Sequence, residues 1–196
     1  MSHDPIRSLY DLAWELGALK RLPRTGWALR RVPDPESVAD HCYRTAFLAM
    51  VLADLARRDG ASVDPEEVLR MALLHEIAEA RTGDLPAPAQ EYFPPQAKLE
   101  AERRAAEALL APLGPLGERY QALVNAYLDG ESLAARLVRA ADLAEMLLQA
   151  AEYESVGADS LGDFWGNAAP LLNRWEDLPS VAAFLRELYR RRTREE

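Results

Sequence analysis

Asp64-Pro65-Glu66-Glu67-Val68-Leu69-Arg70-Met71-Ala72-Leu73-Leu74-His75-Glu76-Ile77-Ala78-Glu79-Ala80-Arg81-Thr82-Gly83-Asp84 is the stretch on which the fold turns. Asp64 can cap a helix, Pro65 suits the first helical position, and Glu66 and Glu67 complement the positive end of the helix dipole. Apolar residues follow at helical spacing, and Gly83 can take the left-handed conformation that closes a helix. The pattern predicts one helix running to about Arg81. Successive helical residues point about 100° apart, so His75 and Glu76 straddle a seam from which both can reach one ion.

The same period extends in both directions. Ile6, Leu9, Ala13, Leu16 and Leu19 mark a first helix, and a second starts near Ser37, with Asp40 at capping-box distance, and runs through His41 towards Arg58. Between Leu85 and Pro95, Pro86, Pro88, Pro94 and Pro95 surround Tyr92-Phe93, which reads as a loop with aromatic anchors walling a pocket. Further helical patterns cover about 98–110, 116–128, 132–153, 164–175 and 180–192. Period-2 alternation bounded by hairpin turns is absent. The expected fold is all-α, a single-domain helical bundle over residues 1–196, with C-terminal helices in 160–192.

Bulk properties narrow the function. A chain of 196 residues with 49% hydrophobic composition supports one substantial core. Its formal net charge of -9 disfavours nucleic-acid polymers and anionic membrane surfaces as partners, while a metal and one or two arginines can still attract a small anionic substrate. Cys42 is the only cysteine, so no internal disulfide forms, and its apolar helical setting suggests a buried thiol. The start Met1-Ser2-His3-Asp4-Pro5 lacks a signal-peptide pattern, and the apolar run after Thr45 is broken by Asp54, so a cytoplasmic, soluble protein is expected. Arg190 to Arg194 reads as a solvated helix face. Phe164, Trp165, Trp175 and Phe184 offer apolar surface for either core or interface.

Of three histidines, His41 and His75 lie in the body of the chain and His3 near its start. Asp142 sits in the apolar stretch 137–148, where a carboxylate needs a cation or hydrogen-bond donors to offset desolvation. Two imidazoles and the carboxylates of Glu76 and Asp142 form a mixed nitrogen and oxygen set suited to Mn²⁺, Co²⁺, Fe²⁺ or Zn²⁺. Each residue alone also has an ordinary reading: a core or capping histidine, a helix-surface glutamate. The run His75-Glu76-Ile77-Ala78-Glu79 matches a zinc-protease helix poorly, because Glu79 stands where the second histidine belongs.

Several motifs in order resemble the HD-domain phosphohydrolases, especially the YfbR-type 5′-deoxynucleotidases and their eukaryotic relatives. Those motifs are Leu19-Lys20-Arg21-Leu22-Pro23-Arg24-Thr25-Gly26-Trp27, Glu36-Ser37-Val38-Ala39-Asp40-His41, His75 to Glu79, Thr82-Gly83-Asp84-Leu85-Pro86, and Asp142, within about 19–153. The resemblance implies one divalent metal ion (Co²⁺ or Mn²⁺, with Mg²⁺ or Zn²⁺ also open) held by His41, His75, Glu76 and Asp142. Glu76 stands where the family normally has aspartate. The resemblance further implies Glu79 and Asp84 as catalytic residues, with Arg24, Trp27 and Asp84 meeting the substrate and Arg21 as a rival to Arg24. The implied reaction is hydrolysis of deoxyribonucleoside 5′-monophosphates to deoxynucleoside and phosphate, by a protein that pairs as a homodimer. Other nucleotides or small phosphate esters, or a helical binding protein weakened by Glu76, are the alternatives.

Overall fold

Helices begin where local capping chemistry allows. In the structure, a computed structural model describing residues 4–159 and 161–195, Ser37 and Asp40 satisfy each other's groups. The Ser37 backbone N–H and hydroxyl donate to Asp40 Oδ2 at 3.0 and 2.7 Å, and the Asp40 N–H donates back to Ser37 Oγ at 3.1 Å. This is a capping box with aspartate in the third position. The hydrogen bonds from Ser37 hold the Asp40 carboxyl below its ordinary pKa. Ser37→Ala is expected to cost about 1 kcal/mol, read as a fall of a few degrees in Tm; an unchanged Tm would show that the box adds nothing.

The helices are α1 (Pro5–Leu16), α2 (Thr25–Ala28), α3 (Val38–Arg58), α4 (Pro65–Leu74), α5 (Glu79–Thr82), α6 (Ala87–Gln90), α7 (Ala97–Leu110), α8 (Pro115–Asp129), α9 (Leu133–Ser155), α10 (Gly162–Ala168) and α11 (Pro179–Glu195). Tighter 3-10 segments cover Ala111–Leu113 and Ala169–Trp175. Only an isolated antiparallel bridge, Pro23 with Ser37, interrupts this all-α architecture among the described residues. His3 lies outside the described residues.

The helix expected to reach Arg81 stops at Leu74. From there the backbone tightens: Ile77 N–H bonds the Leu74 carbonyl at 3.0 Å and Glu79 N–H bonds that of Glu76 at 3.0 Å. The physical reason is burial. His75, Ile77, Ala78 and Glu79 are all buried, whereas a regular helix turns only one stripe inward. His75 and Glu76 therefore sit in a turn and not on a helical seam.

Packing divides the chain into two compact units, Met1–Cys42 with Leu73–Glu131, and Tyr43–Ala72 with Ser132–Glu196. In the first, Ile77, Ala78, Ala106, Leu109, Leu110, Val124 and Leu128 form a core on which Leu12, Leu16, Leu74 and Tyr127 pack. Gly117 lets α8 approach the end of α7, since a Cβ there would lie 2.0 Å from the Leu110 carbonyl oxygen. In the second, the alanine-rich face of α9 meets α10 and α11, burying Trp165, Trp175, Val181 and Leu185. Arg44 binds Glu145 of α9, which is fully buried, at 2.9 Å, and reaches Gln149 and Glu152 as well.

Three smaller expectations change. Tyr92 and Phe93 are 87% and 51% exposed, so they do not anchor the proline-rich loop, which folds a short α6 in its middle. Cys42 is half-buried. Arg192 leaves the solvated face, pairing with Glu154 at 3.2 Å and lying 4.9 Å over the Trp165 ring.

Candidate metal centre and active site

His41 projects from the first turn of α3 and is fully buried; His75 projects from the turn after α4, its side chain without exposure. Their Nε2 atoms are 3.3 Å apart, and Tyr127 of α8 meets the His75 ring edge-on at 5.6 Å, limiting its rotation. Glu76 Oε1 lies 3.9 Å from His75 Nε2. Nitrogen and oxygen donors about 2.0–2.2 Å from one ion stand ~3–3.4 Å from each other. The imidazole pair already has that spacing, and Glu76 needs only a small movement. Two neutral imidazoles and a carboxylate fit a borderline divalent ion in both geometry and chemistry.

Arg24 is positioned by backbone pairing. Its N–H bonds the Glu36 carbonyl at 2.9 Å, and Val38 N–H bonds that of Leu22 at 2.9 Å, setting the segment before α2 against the start of α3. Arg24 Nη1 then stands 3.2 Å from Glu76 Oε1 and 3.8 Å from Asp84 Oδ1. Asp84 Oδ2 accepts from the Thr25 N–H at 2.6 Å and from the Thr25 hydroxyl at 3.1 Å. Gly83, at φ +73°, permits the backbone turn that brings Asp84 there. Arg21 is exposed. Trp27 is 2% exposed and its Nε1–H donates to Glu36 at 2.8 Å, so it packs into the core.

Glu79 is the most strongly perturbed group here. It is 3% exposed, and its Oε2 has no hydrogen-bond partner. Burial, followed by the carboxylates of Glu76 and Asp84, pushes its pKa up to about 9 against the opposing pull of Arg24 and Lys98. Lys98, in the first turn of α7, is a group the sequence reading passed over. Its Nζ lies 3.3 Å from Glu102 Oε1, and it is within electrostatic reach of Glu76 and Glu79. Burial opposes the Lys98 charge, but Glu102, Glu76 and Glu79 outweigh it and leave the pKa raised. Burial likewise raises Glu102, against the lowering effect of Lys98.

A family model described as an HD domain matches residues 16–168. The chain belongs to the HD-domain family. This HD-domain protein is 37% identical over 186 residues to the Homo sapiens protein named 5′-deoxynucleotidase HDDC2, an alignment spanning 93% of this chain and 85% of that one. A solved Pyrococcus furiosus structure, described as a conserved hypothetical protein, superposes with a TM-score of 0.78 at 39% identity, covering 94% of this chain and 99% of that one. Another, described as a predicted metal-dependent phosphohydrolase from Magnetospirillum magnetotacticum, has a TM-score of 0.75 at 28% identity and covers 96% and 95%.

Within its first unit the HD-domain protein thus brings together Arg24, His41, His75, Glu76, Glu79 and Asp84, with Lys98 and Glu102 beside them. The i, i+4 spacing of Lys98 and Glu102 was visible in the sequence, but that spacing usually marks a solvated helix face. Asp142 belongs to the second unit, half-buried on α9 between the buried Ala141 and Leu143.

Proposed function

We propose that this protein hydrolyses deoxyribonucleoside 5′-monophosphates to deoxynucleoside and inorganic phosphate, using one divalent metal ion held by His41, His75, Glu76 and Asp142. The observation that carries the reading is the imidazole pair, with Nε2 atoms 3.3 Å apart, beside a buried glutamate whose Oε2 lacks a partner. Asp142 enters by the family pattern, and half-burial on an otherwise apolar stretch suits a carboxylate that a cation neutralises.

When bound, the ion supplies Lewis acidity toward a phosphate oxygen and toward water. The remaining work falls to side chains. Glu79 orients the attacking water through its unpartnered oxygen and relays a proton to the departing 5′ oxygen, consistent with a carboxyl that holds a proton at neutral pH. Arg24, fixed between Glu76 and Asp84, holds the ligand and turn carboxylates in register and is the residue we assign to the phosphate side of the substrate. Asp84 keeps the Gly83 turn closed onto Thr25 and is the residue we assign to the sugar side of the substrate.

Association as a homodimer in the cytoplasm belongs to the same reading. Tyr43, Phe47, Met50 and Val51 recur at helical spacing along α3 and are exposed, the pattern of a helix face that a second copy could cover. No helix among the described residues is long and apolar enough to cross a membrane.

The test is phosphate release from deoxy and ribo 5′-monophosphates by metal-stripped protein reloaded separately with Mn²⁺, Co²⁺, Zn²⁺ or Mg²⁺. Metal-dependent release favouring the deoxy series is expected; turnover that persists without metal, or no turnover with any of them, overturns the assignment.

A further inference from the structure

Arg24, the cation that the family resemblance implies for the substrate, has Nη1 shared between Glu76 and Asp84, and only 17% of its side chain is exposed. Lys98 comes within electrostatic reach of Glu76 and Glu79 from another element. Helix α5, which carries Glu79, packs against α7, and Lys98 stands in the first turn of α7. Glu102, one turn further along, holds the ammonium at 3.3 Å and so limits where a long, flexible side chain can point. About a third of the Lys98 side chain, 35%, stays exposed, twice the share of Arg24. An ammonium has three donors, so the pair with Glu102 leaves capacity for oxygen acceptors from solution.

We infer that Lys98, aimed by Glu102, is a substrate-binding residue that contacts the phosphate of the incoming nucleotide. The inference rests on the phosphomonoesterase reading above and adds to it a second cation for the phosphate group. Charge supports it. Glu76, Glu79, Asp84 and Glu102 crowd this region with acids, and a phosphate dianion approaching them requires a fixed cation on its own side. The raised pKa of Lys98 keeps that cation charged across the neutral range.

Two measurements on metal-loaded protein test this. The first is inorganic phosphate binding, followed by calorimetry; the second is KM and kcat for a deoxynucleoside 5′-monophosphate. Lys98→Met is expected to weaken phosphate binding and raise KM by about 10-fold or more, the scale of one lost charge-assisted hydrogen bond, with a much smaller change in kcat. Lys98→Arg should recover most of both, which a merely structural role would not require. Wild-type phosphate affinity and KM in Lys98→Met overturn the inference, as does a fall in kcat alone at unchanged KM. If Lys98→Met does not fold, Glu102→Gln provides the second arm. It keeps the ammonium and loosens its aim, and a KM raised several-fold is expected, whereas an unchanged KM overturns the inference. Absence of turnover in the wild-type protein would instead defeat the phosphomonoesterase reading, and the calorimetric arm would still report on Lys98.

Discussion

Glu79→Gln is expected to lower phosphate release by about 10²–10⁴-fold, the usual contribution of a positioned proton-transfer group, while the protein keeps its metal. Glutamine preserves size and hydrogen-bonding shape but cannot relay a proton. Metal content measured beside turnover separates this outcome from loss of the centre, and a variant that still turns over at the wild-type rate would remove Glu79 from the chemistry. The same substitution has a second readout in the metal-free protein. The Glu79 carboxyl has its folded pKa raised to about 9 by burial and by Glu76 and Asp84. A raised folded pKa means that the folded state holds a proton the unfolded chain releases. The associated stability is fully present below the unfolded value, 4.5, and is lost as pH rises towards about 9. Across that window the wild-type protein should lose stability relative to Glu79→Gln by up to ~1.4 kcal/mol per pH unit. Thermal unfolding of both proteins, metal-stripped, at pH 5 and pH 8 measures the difference. Parallel curves would mean that Glu79 is not buried as a neutral acid.

Local capping chemistry is what a sequence conveys best. Ser37, Asp40 and Asp64 act locally, through side chains meeting backbone within three residues, and Pro65 through its fixed φ, so their helix starts were readable from composition and spacing alone. The break at Leu74 was not. Helical propensity continues through Ile77, Ala78 and Glu79, and it is the shared core with Leu109, Leu110 and Val124 that turns Ile77 and Ala78 inward together. Trp27 shows the complementary limit. Its neighbourhood in the motif suggested a substrate contact, but the hydrogen bond to Glu36 depends on the pairing of residues 22–24 with 36–38, which no short window reveals. Lys98 and Glu102 escaped for a third reason: the sequence shows that they can pair, while only the packing of α5 on α7 shows that they pair next to Glu76 and Glu79. The proposed metal ligands were legible because divalent-metal binding restricts which side chains can serve. The supporting charges were not, because many arrangements of lysine and glutamate would meet the same need.

His75→Ala is expected to have the largest effect of all on metal binding, because it removes one of two imidazoles whose Nε2 atoms are 3.3 Å apart and leaves the other without its partner. Loss of a group that only orients a ligand costs 10–100-fold in metal affinity, so loss of the ligand itself should cost more than about 10²-fold. Turnover should fall with it at limiting metal and recover in part at high metal concentration if Glu76 and the remaining donors still gather an ion. The packing contribution is separate. His75 is buried against Tyr127, and an alanine there leaves a void beside that ring. The metal-free variant should therefore unfold about 1–3 kcal/mol more easily than metal-free wild type, a loss that added metal does not repair. His75→Gln distinguishes the two contributions, since it fills much of the space without supplying an imidazole: stability should largely return and metal affinity should not. A His75→Ala protein that binds Mn²⁺ or Co²⁺ as tightly as wild type would place the metal elsewhere and with it the proposed roles of Glu76 and Glu79.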